Sequence, residues 1–132
     1  MAIIEKKYPE LYEGDTISFF EDIAFYGLDT MQELDELKRQ LERLKSIIEP
    51  LTPENVIPFN FIAKELNKKK EEQGVRSWWE LDTDELDSGE VLFLVCYPFF
   101  LRGSGPWEVK FALSGDLAKY LKLYKEKIEA MS

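Results

Sequence analysis

The sequence predicts an α+β fold with N-terminal helices, then a three-stranded antiparallel sheet packed by helices, and finally a C-terminal amphipathic helix. The order of helices and strands is indicated by changes in the spacing of apolar residues along the chain. Apolar residues recur at steps of three and four before Gly74, at steps of two after it, and at helical steps again from Asp116. With 132 residues, 45% of them hydrophobic, the chain can form a single domain over 1–132. We expect its helical part at about 1–74 and its sheet with the last helix at about 75–132.

The clearest predicted helix covers residues 31–48. Its apolar side consists of Met31, Leu34, Leu37, Leu41, Leu44 and Ile48. Thr30 and Glu33 have the spacing of an N-terminal capping box, and Pro50 follows the last apolar position. The stripe covers only about two heptads, so packing within the chain is favoured over helical dimerisation.

Three more helices are predicted from similar patterns. Ser18 and Glu21 form a second capping box ahead of an apolar segment, and Gly27 is placed to end a short helix there. Another helix is expected over about 59–73, with a glycine directly after it. The last helix is capped by Ser114 or Asp116, and its apolar side is formed by Leu117, Tyr120, Leu121, Tyr124, Ile128 and Met131.

Three segments have the patterns of strands. Residues 75–81 and 107–113 alternate between apolar and polar side chains, which is typical of strands with one face buried. Residues 90–97 are apolar at nearly every position, which favours a central, covered strand. The three segments together predict an antiparallel meander.

The chain contains no histidine, and its one cysteine, Cys96, lies inside an apolar run. This composition removes the usual general base near neutral pH, the commonest zinc ligand and every Ser-His or Cys-His nucleophile arrangement. We therefore expect no cofactor and no catalysis of the common kinds, although a histidine-free enzyme that uses carboxylates stays open. Cys96 is expected to be a buried thiol whose thiolate form is disfavoured.

The acidic segment 82–90 raises the question of a calcium site. Counting from Asp82 as the first position of a calcium loop, Leu86 occupies a ligand position and Asp87 stands where the loop needs glycine. We therefore expect no metal site and interpret the segment as a solvated connection between strands, with Asp87-Ser88-Gly89 as its turn.

The net charge of −9 indicates which partners the chain favours. Acids exceed bases most strongly in residues 1–50 and 75–97, and such a chain repels nucleic-acid backbones at long range. A protein partner, in particular a basic one, is favoured over direct nucleic-acid binding. The sequence predicts no membrane segment and no signal peptide, and we expect a cytoplasmic protein.

Large apolar side chains next to a glycine-rich turn, and a tryptophan pair, are the candidate contact surface. On a strand, Trp78 and Trp79 point to opposite faces, and the alternation places Trp79 inside. Trp78 then needs a covering helix, a cation–π contact with Arg76 or a partner. The candidate partner-binding residues are Trp78, Arg76, Phe99, Phe100, Leu101, Arg102 and Trp107.

These features favour a non-enzymatic protein-binding or regulatory module that contacts a partner through this aromatic surface. Two alternatives of other classes stay open beside the carboxylate enzyme. The chain could be an acidic chaperone, inhibitor or immunity-type protein that masks a basic surface, including by mimicry of nucleic-acid charge. It could equally be a structural subunit of an obligate oligomer, such as a homodimer, with the aromatic surface as its symmetric interface.

Overall fold

A computed structural model describes residues 10–12, 15–51, 59–100 and 107–130. Every regular element in these ranges is helical, and they contain no strand. The α-helices are α1 (Thr16–Tyr26), α2 (Met31–Ile48), α3 (Phe59–Gln73), α4 (Ser88–Phe100), α5 (Trp107–Leu113) and α6 (Asp116–Ala130). Two short 3-10 helices, Trp78–Glu80 and Thr83–Glu85, lie between α3 and α4.

The predicted α+β class is therefore wrong, because all three expected strands are helical. Residues 75–81 contain the first 3-10 helix, residues 90–97 lie inside α4, and residues 107–113 form α5. The four predicted helices correspond to α1, α2, α3 and α6 and are confirmed.

The predicted central strand over 90–97 failed because its residues are apolar all round. Residues Glu90 to Cys96 are all buried in α4, and such a segment fits a buried helix as well as a buried strand. The distinguishing signal lies at its start. Asp87 Oδ1 accepts a hydrogen bond from the Glu90 N–H at 2.8 Å, and Glu90 Oε1 accepts one from the Asp87 N–H at 3.0 Å. This reciprocal capping box begins a helix where a turn was expected.

The other two strand predictions failed for local reasons. In 75–81, the Glu80 carboxylate accepts hydrogen bonds from the backbone N–H groups of Arg76 and Ser77, at 2.8 Å and 3.1 Å, and this folds the segment back on itself. In α5, Phe111 and Ala112 are buried as neighbours, which a strand of period two would not allow. Packing on α1, α4 and α6 stabilises this short helix, whose intrinsic stability is low.

The ends of the confirmed helices follow capping chemistry in most cases. At α2, the Thr30 hydroxyl accepts a hydrogen bond from the Glu33 N–H at 3.1 Å, as the capping box predicts. Gly27 ends α1 with a φ of 79°, a conformation that glycine adopts without strain. The predicted cap at Ser18 is wrong, because α1 begins two residues earlier, at Thr16.

Helix α4 lies at the centre of the fold. It contacts α2, α3, α5 and α6, while α1 packs on α5 and α6. The largest side chains with almost no exposure come from several helices and include Phe20, Phe93, Tyr120 and Tyr124. Within the described ranges, no helix is both long and apolar enough to cross a lipid bilayer.

Candidate functional site

Trp78, the leading predicted contact residue, is half-buried and has partners within the chain. Its indole Nε1–H donates to Asn67 Oδ1 at 2.8 Å. Its ring centroid lies 5.5 Å from that of Phe93 and 5.1 Å from that of Tyr97, both edge-to-face. Trp78 therefore joins the first 3-10 helix to α3 and α4. Of the three alternatives for this side chain, these contacts correspond to cover by a helix.

The remaining predicted contact residues do not form one exposed surface in the described ranges. Phe99 and Phe100 are half-buried against the core, and the Phe100 ring meets Phe59 at 5.1 Å. Arg76 is exposed, and Trp107 is 41% exposed with the Lys110 ammonium 5.7 Å from its ring centroid. Leu101 and Arg102 lie outside the described residues. As a partner-binding set, these residues stay a prediction.

Among the residues that the structure describes, the most exposed aromatic pair stands at the C-terminal end of α1. Phe25 is 81% exposed and Tyr26 is 71% exposed, and their ring centroids lie 4.8 Å apart in an edge-to-face arrangement. We call these two residues the aromatic edge. Large apolar side chains usually lie inside a folded chain, so an adjacent exposed pair indicates an interaction surface.

An open groove lies beside the aromatic edge, between α1 and α6. Its volume is about 650 Å³, and it is widely open to solvent. The two helices approach closely here, since a Cβ built on Gly115 would lie 3.5 Å from the Ala24 Cβ. The side chains that matter for its chemistry are Glu21, Asp22, Phe25, Tyr26, Ala118 and Lys119. We call this space the edge groove.

The charges around the edge groove favour cations at its α1 side. Glu21 and Asp22 are exposed and line the groove, and the last turn of α1 carries no basic residue. The C-terminal end of a helix carries partial negative charge from its carbonyl groups, which adds to the charge of these two acids. Lys119 on the α6 side places its ammonium 5.3 Å from the centroid of the Tyr120 ring.

Two groups that could take part in covalent chemistry, Cys96 and Glu90, are held in the core. Cys96 is buried in α4, and burial raises the pKa of its thiol far above its ordinary value, which confirms the prediction of a disfavoured thiolate. Glu90 is buried and forms an ion pair with Lys69. In the described part of the chain, no three potential metal-binding side chains are grouped to hold an ion.

Tyr120 gives a testable pH dependence. Burial, together with the nearby Asp116 carboxylate, raises the pKa of Tyr120 to about 12, whereas an unfolded tyrosine ionises near about 10. The fold favours the neutral phenol, so its contribution to stability is complete below pH ~10 and is lost as the pH rises through ~12. We expect the free energy of unfolding, measured by urea denaturation, to fall over this interval, and to fall less steeply in Tyr120→Phe. Equal slopes for the two proteins would contradict the assignment.

Phe25 belongs to the apolar segment that predicts the first helix, and the sequence pattern assigns no role to Tyr26. A helical projection separates Phe25 from the buried face, because Phe25 lies two positions beyond Ile23 and five beyond Phe20. Tyr26 lies three positions beyond Ile23, so the projection does not separate it from that face. Phe20 and Ile23 are buried, as that projection requires. The spacing is therefore a usable signal for the exposure of Phe25 but not for that of Tyr26.

Comparison with protein-family models, with curated proteins and with solved structures finds no significant match to this chain.

Proposed function

We propose that this chain is a non-enzymatic protein-binding module that contacts its partner through the aromatic edge and the edge groove. The observation that carries this proposal is the exposure of two adjacent aromatic rings, 81% for Phe25 and 71% for Tyr26. Burying one such side chain in an interface stabilises the complex by about 1.5–3 kcal/mol. Tyrosine is also enriched in the energetic centres of protein interfaces.

The composition of the chain supports a binding role over a catalytic one. Histidine is missing from the sequence and Cys96 is enclosed in α4, so the nucleophile and general-base sets that depend on a histidine or on an accessible thiol are missing. We place the module in the cytoplasm, because its one cysteine is a buried free thiol, which agrees with a reducing compartment.

The test of this proposal is partner capture by variants of the aromatic edge. The purified chain, immobilised, is exposed to an extract of its native cells, and the captured proteins are quantified by mass spectrometry. We expect a partner captured by the wild type to fall at least ~10-fold with the double variant Phe25→Ser/Tyr26→Ser, since losing two interface anchors costs more than about 1.4 kcal/mol.

Phe61→Ser is the matched control, because Phe61 is also an exposed aromatic residue, at 63%, but lies on α3. It should capture the partner as well as the wild type does. The wild type, the double variant and the control should have the same circular dichroism spectrum and nearly the same free energy of unfolding in urea. Substitutions at exposed sites change stability by about 0.5 kcal/mol or less. Capture that survives in the double variant, or that falls equally in the control, would refute the aromatic edge as the contact surface.

A further inference from the structure

The shape of the edge groove fits another helix. Grooves between two packed helices accept the side-chain ridges of a third, and amphipathic helices commonly bind proteins in this way. The groove has room for an incoming side chain where it is lined by small residues, none with a side chain larger than a methyl group: Ala24, Gly115 and Ala118. Phe25 and Tyr26 stand at its border, where they can cover the apolar side of an incoming helix.

The charge pattern selects a basic occupant. Four of the other helices carry a lysine in the last turn, namely Lys45 in α2, Lys70 in α3, Lys110 in α5 and Lys127 in α6. Helix α1 has none, so the negative end of its dipole is not balanced by its own residues. Glu21 and Asp22 add two carboxylates within the last two turns of the same helix.

The α6 side of the groove does not reverse this preference. The first turn of α6 contains Asp116, whose carboxylate offsets the positive end of that helix dipole. The Lys119 ammonium lies over the Tyr120 ring. Among the described residues that line the groove, it is the one cation, against two carboxylates. The net charge of −9 over the whole chain attracts a basic partner from a distance.

We propose that the edge groove binds a basic amphipathic helix of a partner protein. Its apolar side packs on Phe25, Tyr26 and Ala118, and its lysines or arginines face Glu21, Asp22 and the C-terminal carbonyl groups of α1. This inference rests on the proposed protein-binding function and adds the chemical class of the partner segment.

The probe is a labelled synthetic peptide of about 14 residues, with leucines at helical spacing and lysines at the other positions. A second peptide replaces each lysine with glutamate and keeps the leucines. Binding to the purified chain is measured by fluorescence anisotropy at about 50 mM and about 300 mM NaCl, since added salt screens charge attraction. We expect the lysine peptide to bind, more weakly at the higher salt concentration, and the glutamate peptide not to bind.

Charge reversal at two places shows whether the lysine peptide binds in the edge groove or is attracted by the negative charge of the chain as a whole. Glu21→Lys/Asp22→Lys changes the groove, and Glu71→Lys/Glu72→Lys makes the same change of charge at the exposed end of α3. We expect the groove variant to weaken binding of the lysine peptide at least ~10-fold and the α3 variant to stay within ~3-fold of wild type, because exposed distant charges are screened. Equal weakening by both variants would overturn the proposal.

The same variants separate this inference from the proposed function. In one outcome, capture of the native partner requires Phe25 and Tyr26, but the Glu21→Lys/Asp22→Lys variant still binds both the partner and the lysine peptide. The proposal of a basic helix is then overturned, and the proposed protein-binding function stands. If the aromatic-edge double variant captures the partner normally, both fail. Self-association of the pure chain that requires Phe25 and Tyr26, without peptide binding, would assign the groove to a second copy and also overturn the proposal.

Discussion

Lys69→Met is expected to lower the free energy of unfolding by about 3 kcal/mol, because it leaves a buried carboxylate without its cation. The Lys69 ammonium forms an ion pair with Glu90 Oε1 and donates to the Glu85 carbonyl oxygen at 2.7 Å. The Glu90 side chain is only 5% exposed and the Lys69 side chain 25%. We take the lower end of the range for buried pairs, since Lys69 keeps some contact with water. Urea denaturation measures the change.

Two further variants show whether the effect comes from the ion pair. Lys68→Met removes a neighbouring exposed lysine from the same helix and should change stability by about 0.5 kcal/mol or less. Adding Glu90→Gln to Lys69→Met removes the buried charge but keeps an oxygen that can accept from the Asp87 N–H. We expect the double variant to recover more than half of the loss. If Lys69→Met lowers the free energy of unfolding no more than Lys68→Met does, the Lys69–Glu90 pair contributes no more than a surface ion pair.

Phe93→Ala is expected to lower the free energy of unfolding by about 4 kcal/mol, because it deletes a buried aromatic ring and leaves a cavity. Phe93 is 1% exposed. Its ring centroid lies 4.7 Å from Phe59, 5.5 Å from Trp78 and 5.6 Å from Tyr97. The cavity would therefore loosen contacts among α3, the first 3-10 helix and α4 together.

The measurement is again urea unfolding, followed by circular dichroism and by tryptophan fluorescence. The emission of Trp78 should report the altered packing around Phe93, because the two rings are in contact. Phe61→Ala is the control, since this exposed ring should cost about 0.5 kcal/mol or less. A cost below about 1.5 kcal/mol for Phe93→Ala would be inconsistent with a tightly packed aromatic cluster at this point.

The sequence predicted helices where an apolar stripe and an end signal agreed. In α2, the leucine spacing, Thr30 and Glu33 all indicated one helix, and its bounds match the prediction. The strand predictions relied on alternation over 75–81 and 107–113 and on a continuous apolar run over 90–97, and they overlooked capping signals. Glu90 stands three residues after Asp87, and Glu80 three after Ser77, and both glutamates accept backbone hydrogen bonds at the start of a helical segment.

The candidate site was only partly accessible from the sequence. Three of its properties could be inferred from the sequence alone: the excess of acids in the first 50 residues, the burial of Cys96 and the absence of histidine. The aromatic surface was assigned to Trp78 and its neighbours because strand geometry requires adjacent residues to face opposite ways. In a helical segment that requirement disappears, and Trp78 packs on Phe93 and Tyr97 while Phe25 and Tyr26 are exposed.

Local sequence specifies the charge of this protein, the side-chain chemistry open to it, and the position of those helices that have amphipathic stripes and glycine ends. These properties depend on residues close together in the chain. Tertiary packing set the central position of the helix over residues 90–97, since an apolar segment is covered on all sides only when other helices surround it. It also decided which aromatic rings reach solvent, because exposure depends on neighbours that are distant in sequence, such as α6 beside the end of α1.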